Sequence, residues 1–179
     1  MPFTIYNLLA FKNQPDLKAE GLEPVSWYSR GGFDPVSVGK WASEQDSELL
    51  IVDFEALCSD VRVQAAECVA QGHAQRIESI KAAKRDKKVK SAQVGTYAVC
   101  PVSDYWTPVM PSNEKLLAWR GSNRFNSVLA DELDVICPSL YAFYDDAKGY
   151  EKYALANIEE AYKYAKPVIP FICPHFHHS

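Results

Sequence analysis

The sequence predicts an α/β fold of the TIM-type (β/α) barrel class. Six short apolar segments alternate with stretches whose apolar residues recur at helical spacing, which is typical of parallel βα units. Several of these segments are continuous apolar runs, as in strands that are covered on both faces. Polar and aromatic residues follow most segments, as at the active face of a barrel, and the first turn lacks the glycines of a nucleotide-binding open sheet. A barrel is therefore favoured over an open, doubly wound sheet.

The predicted barrel is incomplete. The strands are expected at residues 3–9, 24–28, 49–55, 94–99, 133–141 and 167–172. The helices are expected from Ser59 or Asp60 to the basic run 84–88, from 112 to 132 with a break near Gly121, and from 150 to 165. A complete barrel has eight units in roughly 250 residues. About six βα units thus indicate one barrel-like domain over residues 1–179, either whole or a fragment of a longer barrel.

Composition and charge exclude several classes of function. The 179 residues are 47% hydrophobic and 23% charged, with a formal net charge of −4 and a pI of about 5.6. An acidic chain lacks the basic footprint of nucleic-acid binding, and no apolar run approaches the roughly 20 residues of a membrane span. We therefore expect neither a nucleic-acid partner nor a membrane, and no motif indicates a cofactor. The N-terminus lacks a signal-peptide pattern, which fits an intracellular protein or a processed form.

The five cysteines stand at positions 58, 68, 100, 137 and 173. Their number is odd, no Cys-x-x-Cys pair occurs, and zinc-type spacing is absent. Cys100, Cys137 and Cys173 lie in apolar, strand-like runs beside proline, where free thiols pack as small hydrophobic groups. We expect free, buried cysteines and no disulfide framework.

The run from Leu49 to Glu55 contains the strongest candidates for catalysis. Four apolar residues lead into Asp53 and Glu55, which are two positions apart and would share one face of a strand. Burial of a carboxylate is costly unless it is paired or its pKa moves, so a pair at the end of a buried strand is suited to acid–base chemistry. We expect both residues to be catalytic. The alternative is a strand that ends in two ordinary surface acids.

Aromatic residues at the strand ends indicate a carbohydrate ligand. Sugar rings pack their C–H faces on aromatic rings, while their hydroxyls bind carboxylates and tyrosine hydroxyls. Tyr105, Phe143 and the acids Asp104, Asp145 and Asp146 also lie near strand ends. The expected substrate-binding residues are Trp27, Tyr28, Tyr97, Trp106, Tyr141 and Tyr144.

Four segments resemble, in the same order, strands of the hyaluronidase-like glycoside hydrolases. Residues 50–55 resemble that family's Asp-x-Glu strand, and residues 94–101 its next strand, a Gly-x-Tyr segment that leads to a proline. Residues 135–141 resemble its Pro-Ser-x-Tyr strand, and residues 166–171 the strand after it. The resemblance covers about residues 49–174 and corresponds to the first three-quarters of the family's barrel. The last two strands and the family's secretory cysteine pattern have no counterpart.

The resemblance implies a glycoside hydrolase that acts on an N-acetylhexosamine-containing glycan by substrate-assisted acid catalysis. Glu55 would donate the proton, and Asp53 would orient the substrate's acetamide, which acts as the nucleophile. Tyr141 would contact the acetamide or the sugar, and Tyr97 would form a wall of the pocket. The resemblance also suggests a secreted protein.

Two other interpretations stay open. A non-catalytic carbohydrate-binding or structural protein would keep the barrel without a working site. A different enzyme would use a metal held by Asp53, Glu55 and a histidine. An unclosed sheet would expose apolar edges, which a partner chain would cover. The histidines near the C-terminus, at 175, 177 and 178, are expected to belong to a tail and not to a metal site.

Overall fold

The computed structural model describes residues 4–8, 16–29, 34–54 and 56–173. Its strands are β1 (Ile5–Asn7), β2 (Leu22–Tyr28), β3 (Leu49–Val52), β4 (Gln93–Tyr97) and β5 (Val135–Cys137). Its helices are α1 (Pro35–Glu44), α2 (Ala66–Asp86), α3 (Trp106–Val109), α4 (Asn113–Phe125), α5 (Ser127–Ala130) and α6 (Ala147–Tyr162). Within these ranges no helix combines the length and the hydropathy that a membrane span needs.

The five strands form a parallel sheet in the order β1-β2-β3-β4-β5, which curls into a half-barrel with helices between the strands. Strands that follow each other in sequence are therefore neighbours in space, as in a (β/α) barrel. The predicted fold class, an incomplete (β/α) barrel, is confirmed. The sixth predicted strand is reduced to a segment beside β5, with isolated parallel bridges from Val168 to Ile136 and from Phe171 to Ser139.

The sheet is buried on both sides, which explains its continuous apolar runs. Every residue of β3 is at most 1% exposed. Leu50 and Val52 pack with residues of the surrounding helices, such as Ile80 of α2. Leu49 and Ile51 pack with strand residues on the concave, inner side of the half-barrel. Alternate residues of each strand thus point either to the helix layer or to the inner side.

Helix α2 begins later than the sequence predicted. Asp60 does not cap it, because the carboxylate of Asp60 accepts hydrogen bonds from the guanidinium of Arg62 and, at 2.8 Å, from the hydroxyl of Ser122. The helix begins at Ala66 without a side-chain cap. A tertiary contact between the loop after β3 and helix α4 has replaced the local cap that the sequence suggested.

Cys58 and Cys68 form a disulfide, with their Cα atoms 5.7 Å apart. The expectation that disulfides are absent is wrong for this pair, which links the loop after β3 to the first turn of α2. The fold brings the two thiols together, and their spacing in the sequence has no distinctive signature. The expectation of free, buried cysteines is confirmed for Cys100 and Cys137, whereas the free Cys173 is partly exposed.

Helix α4 ends at Phe125 and not near Gly121. The chain turns at Asn126, which is fully buried; its Oδ1 lies 2.8 Å from Nε2 of His73, and its amide donates to two backbone carbonyls. Burial lowers the pKa of His73, which is packed inside the protein on α2. The end of α4 is therefore set by a buried polar residue and not by the glycine.

Two helices lie where none was predicted, and a third begins earlier. Asp34 caps α1, with its carboxylate accepting a 2.9 Å hydrogen bond from the amide of Ser37, and Val38 of this helix is fully buried. Helix α3 is the next element after β4, across the loop of residues 98–105. Helix α6 begins at Ala147, and Asp146 is its cap. A short helix such as α3, with four residues, gives a weak periodic signal, and the first turn of α6 (Ala147 to Tyr150) has few apolar positions.

Candidate active site

Asp53 directly follows β3, at the carboxyl end of the strand. Its amide donates a 2.9 Å hydrogen bond to the carbonyl of Tyr28, which extends the pairing of β2 and β3 by one residue. Alternation along the strand places Asp53 on the same side as Leu49 and Ile51. The residue is 8% exposed. Barrel enzymes hold their catalytic groups at this end of the strands.

The other predicted catalytic residue, Glu55, lies outside the described residues. Alternation of side chains continues through Phe54, which packs in the helix layer. The shared face of Asp53 and Glu55 stays a prediction.

Four aromatic side chains pack against one another on the inner side, and we call them the inner aromatic cluster: Trp27, Tyr97, Tyr141 and Phe171. The ring centroid of Tyr97 lies 5.3 Å from that of Trp27, 5.3 Å from that of Phe171 and 5.7 Å from that of Tyr141. Trp27 and Phe171 are 5.4 Å apart. These spacings are those of interacting aromatic pairs, so the four rings form one surface.

Tyr97 connects this cluster to the level of Asp53 in the sheet. Val52 of β3 pairs with Thr96 of β4, so the next residues along each strand, Asp53 and Tyr97, stand side by side. The hydroxyl of Tyr97 lies 3.0 Å from that of Ser139. Burial raises the pKa of Tyr97, so its phenol keeps its proton at neutral pH.

A second group of rings, which we call the rim aromatic cluster, consists of Tyr105, Trp106, Phe143 and Tyr144. The indole of Trp106 donates a 3.1 Å hydrogen bond to the hydroxyl of Tyr144, and the two rings are 4.6 Å apart. Trp106 is 48% exposed and Tyr144 is 42% exposed. Phe143 lies 6.5 Å from Tyr144 and 6.5 Å from Tyr141 of the inner cluster. The two clusters thus form a continuous series of ring contacts.

Tyr28 lies on the opposite side of the sheet. Its ring is 5.3 Å from that of Trp41 and 6.2 Å from that of Phe54, in the helix layer. Three of the predicted substrate-binding residues, Trp27, Tyr97 and Tyr141, lie together in the inner aromatic cluster. Two more, Trp106 and Tyr144, lie in the rim aromatic cluster. Tyr28 belongs to neither cluster.

Two acids near strand ends have structural partners. Asp104 accepts hydrogen bonds from Arg62, at 2.6 Å, and from the amide of Thr107, at 2.9 Å. Asp146 accepts one from the amide of Gly149 at the start of α6. In the part of the chain that the structure describes, no group of three or more His, Cys, Asp and Glu residues could hold a metal ion. The histidines at 175, 177 and 178 lie outside that part.

A groove of about 610 Å³ lies between α4 and α6, away from the inner side. Among its lining residues are Arg120, Arg124, Glu160 and Lys163, and Glu160 forms ion pairs with Arg120 and Lys163. Among the residues that the structure describes, none of those predicted for the site lines this groove.

Ser139 contacts Tyr97 and Phe171 is part of the inner aromatic cluster, yet neither is among the residues predicted from the sequence. Ser139 is part of the segment that resembled Pro-Ser-x-Tyr, and Phe171 lies in the last apolar run, two positions after the inward-packing Ile169. Period-two alternation would have placed Phe171 beside Ile169. Its contact with the site follows from the pairing of this segment with β5, which no local pattern specifies.

The fold and the site define a class of protein, an incomplete (β/α) barrel with a carboxylate and an aromatic surface on its inner side. Two crystal structures of bee venom hyaluronidase have a similar fold. The monoclinic structure matches with a TM-score of 0.54 and 21% identity over 69% of this chain and 51% of the bee chain. The structure in complex with a hyaluronic acid tetramer matches with a TM-score of 0.57 and 20% identity over 73% and 51% of the two chains.

The chain thus spans about half the length of the bee protein, and at this identity the likeness shows a shared, hyaluronidase-like fold. No protein-family model and no curated protein matches the sequence.

Proposed function

We propose that the chain is a glycoside hydrolase that cleaves an N-acetylhexosamine-containing glycan by substrate-assisted acid catalysis, with Glu55 as the proton donor. The observation that best supports this proposal is the position of Asp53 directly after β3, level with Tyr97 in the sheet of a hyaluronidase-like barrel. The bee protein of the same fold has been crystallised with a hyaluronic acid tetramer, so glycans of this class are the first substrates to test.

The two aromatic clusters would bind the sugar units. Aromatic rings offer apolar surfaces to the C–H faces of sugars, and each ring in the series from Trp27 to Trp106 contacts the next. Tyr97 and Tyr141 would contact the sugar that reacts, while the exposed Trp106 and Tyr144 would contact a neighbouring unit. A series of rings of this length suits an oligosaccharide better than a single sugar.

The reaction would proceed in two steps. Glu55 donates its proton to the glycosidic oxygen as the bond from C1 to that oxygen breaks, and the acetamide oxygen of the same sugar forms a bond to C1. Asp53 accepts a hydrogen bond from the acetamide N–H and stabilises the positive charge of the cyclic intermediate. A water molecule then attacks C1 and gives a proton to Glu55, which releases the acetamide and restores the acid.

We expect the protein to cleave glycans only where they carry the acetamide. The purified chain would be incubated with hyaluronan, with chitin oligosaccharides and with cello-oligosaccharides, which lack the acetamide, and new reducing ends would be counted. Release from an acetamide-bearing glycan but not from cello-oligosaccharides supports the proposal. Binding without release would contradict it in favour of a non-catalytic carbohydrate-binding protein. Equal release from the matched glycans without acetamide would contradict the substrate-assisted route.

A further inference from the structure

Helix α2 holds the loop after β3 by several contacts. The disulfide from Cys58 to Cys68 links the loop to the first turn of the helix. One turn further along, Gly72 lies against the loop so closely that a Cβ there would stand 2.5 Å from the carbonyl oxygen of Cys58. Next along the same helix comes Arg76. The loop that these contacts hold contains residue 55.

Arg76 is 1% exposed and binds three carbonyl groups of this loop. Its Nη1 donates to the carbonyl of Cys58 at 2.8 Å, and its Nη2 donates to the carbonyls of Phe54 at 2.9 Å and Leu57 at 2.8 Å. The carbonyls of Phe54 and Leu57 lie on either side of residue 55. A single guanidinium therefore fixes the backbone before and after the predicted proton donor.

A neutral side chain would fill this space at a lower cost in desolvation. Within the described residues Arg76 forms no ion pair, and burial lowers its pKa to about 10, so it remains a cation at neutral pH. Transfer of a guanidinium from water into the protein interior costs free energy, and its hydrogen bonds to three carbonyls offset part of that cost. A buried charge that is kept at such a cost, beside a candidate active site, indicates an electrostatic role.

Three titratable groups of the described residues interact with this charge: His73 of α2, Cys100 after β4 and Asp53 after β3. Burial raises the pKa of the Cys100 thiol to about 12 and lowers the pKa of His73, so both are neutral at pH 7. Asp53 is the acid among these three; burial lowers the pKa of Arg76, and the interaction of the guanidinium with Asp53 raises it. Glu55 is the further acid of this loop and lies outside the described residues.

We infer that Arg76 is a positioning residue for the acid pair: it fixes the backbone of Phe54 and Leu57, on either side of the predicted proton donor in the sequence, and through its bond to Phe54 it brings a positive charge to the residue next to Asp53. The second part of this inference concerns Asp53 alone, while the role of the loop in catalysis rests on the proposed function. The two are therefore tested by different measurements.

The first measurement is an NMR titration of the aspartate side-chain carboxyl carbons in the wild-type protein and in Arg76→Gln and Arg76→Lys, with Asp53→Asn to assign the signal. Loss of an adjacent positive charge should move the titration midpoint of Asp53 to higher pH, by about one pH unit in Arg76→Gln. Arg76→Lys keeps the charge and should move it less. Arg120→Gln, which removes an arginine from α4, is the control and should leave the midpoint unchanged. An unchanged midpoint in folded Arg76→Gln overturns the inference, whether or not the protein hydrolyses glycans.

The second measurement uses Arg76→Lys, which also serves if Arg76→Gln does not fold. One ammonium group cannot reach three carbonyls, so amide hydrogen exchange in residues 56–58 should become faster than in wild type. On a glycan that the wild-type protein cleaves, kcat of Arg76→Lys should fall by about tenfold while KM changes little. The reason is that a shifted loop would misplace the proton donor, which acts in the transition state. Unchanged exchange in this loop would overturn the positioning role.

Discussion

Replacing Glu55 with glutamine is expected to lower the rate of glycan cleavage by about 10²- to 10⁴-fold, which is the usual contribution of a general acid. Glutamine keeps the size and the polarity of the side chain but has no proton to donate to the glycosidic oxygen. The affinity for the glycan should change little, because the aromatic clusters that would bind the sugars remain. The measurement is the initial rate of release of reducing ends at several substrate concentrations, so that kcat and KM are obtained separately.

Glu151→Gln is the matched control for this substitution. Glu151 is exposed on α6, so the same chemical change there should leave both constants unchanged. If Glu55→Gln and wild type cleave the glycan at the same rate, Glu55 is not the proton donor. Asp53→Asn should also reduce kcat, because an amide cannot stabilise the charge that develops on the acetamide.

Replacing Arg62 with alanine is expected to lower the free energy of unfolding by about 3 kcal/mol. Arg62 forms ion pairs of 2.6 Å with Asp60, in the loop after β3, and with Asp104, in the loop after β4. The side chains of all three residues are at most 20% exposed, so the substitution would leave two acids poorly solvated and without their cation. Urea unfolding followed by tryptophan fluorescence would measure the change.

Arg85→Ala is the control for this prediction. Arg85 also forms a 2.6 Å ion pair, with Asp86, but its side chain is 68% exposed. Exposed pairs contribute little, so the free energy of unfolding should stay within experimental error of wild type. Equal losses in Arg62→Ala and Arg85→Ala would contradict the structural role given to Arg62.

The same ion pairs predict how stability depends on pH. Burial alone would raise the pKa values of Asp60 and Asp104, but hydrogen bonds from Arg62, Ser122 and Thr107 and the charge of Arg62 hold them below their usual range. A carboxyl whose pKa is lower in the folded state stabilises the protein above its unfolded pKa, which is about 3.9 for aspartate. That contribution is lost as the pH falls through the folded pKa. Between pH 5 and pH 2, roughly, wild type should therefore lose more stability than Arg62→Ala.

The parts of the fold that the sequence predicted correctly are those with a strong local pattern. The apolar run of β3 identified a strand buried on both sides, and the alternation of strands with helices indicated a barrel. Trp27 and Tyr28 were both assigned to the substrate, although neighbours in a strand must face opposite sides. The structure places the first on the inner side and the second in the helix layer. The period-two rule alone therefore predicts that only one of these two residues faces the inner side.

Other features depend on contacts between distant parts of the chain. Asp60 looked like a helix cap, yet it binds Arg62 and Ser122, and the latter lies 62 positions away in the sequence. The disulfide between Cys58 and Cys68 depends on how the loop after β3 returns to α2. The hydrogen bonds from Arg76 to three backbone carbonyls have no sequence signature, because every residue has a backbone carbonyl. Tertiary geometry decides all three features.

The central claim is that the inner side of the half-barrel, around Asp53 and Tyr97, is the glycan-binding surface. Its most direct test is an NMR titration of the isotope-labelled protein with a hyaluronan tetrasaccharide and with a chitin tetrasaccharide. Saturable shift changes are expected at Trp27, Asp53, Tyr97 and Tyr141, extending to Trp106 and Tyr144. Changes confined to the groove between α4 and α6, or no changes with either glycan, would contradict this claim.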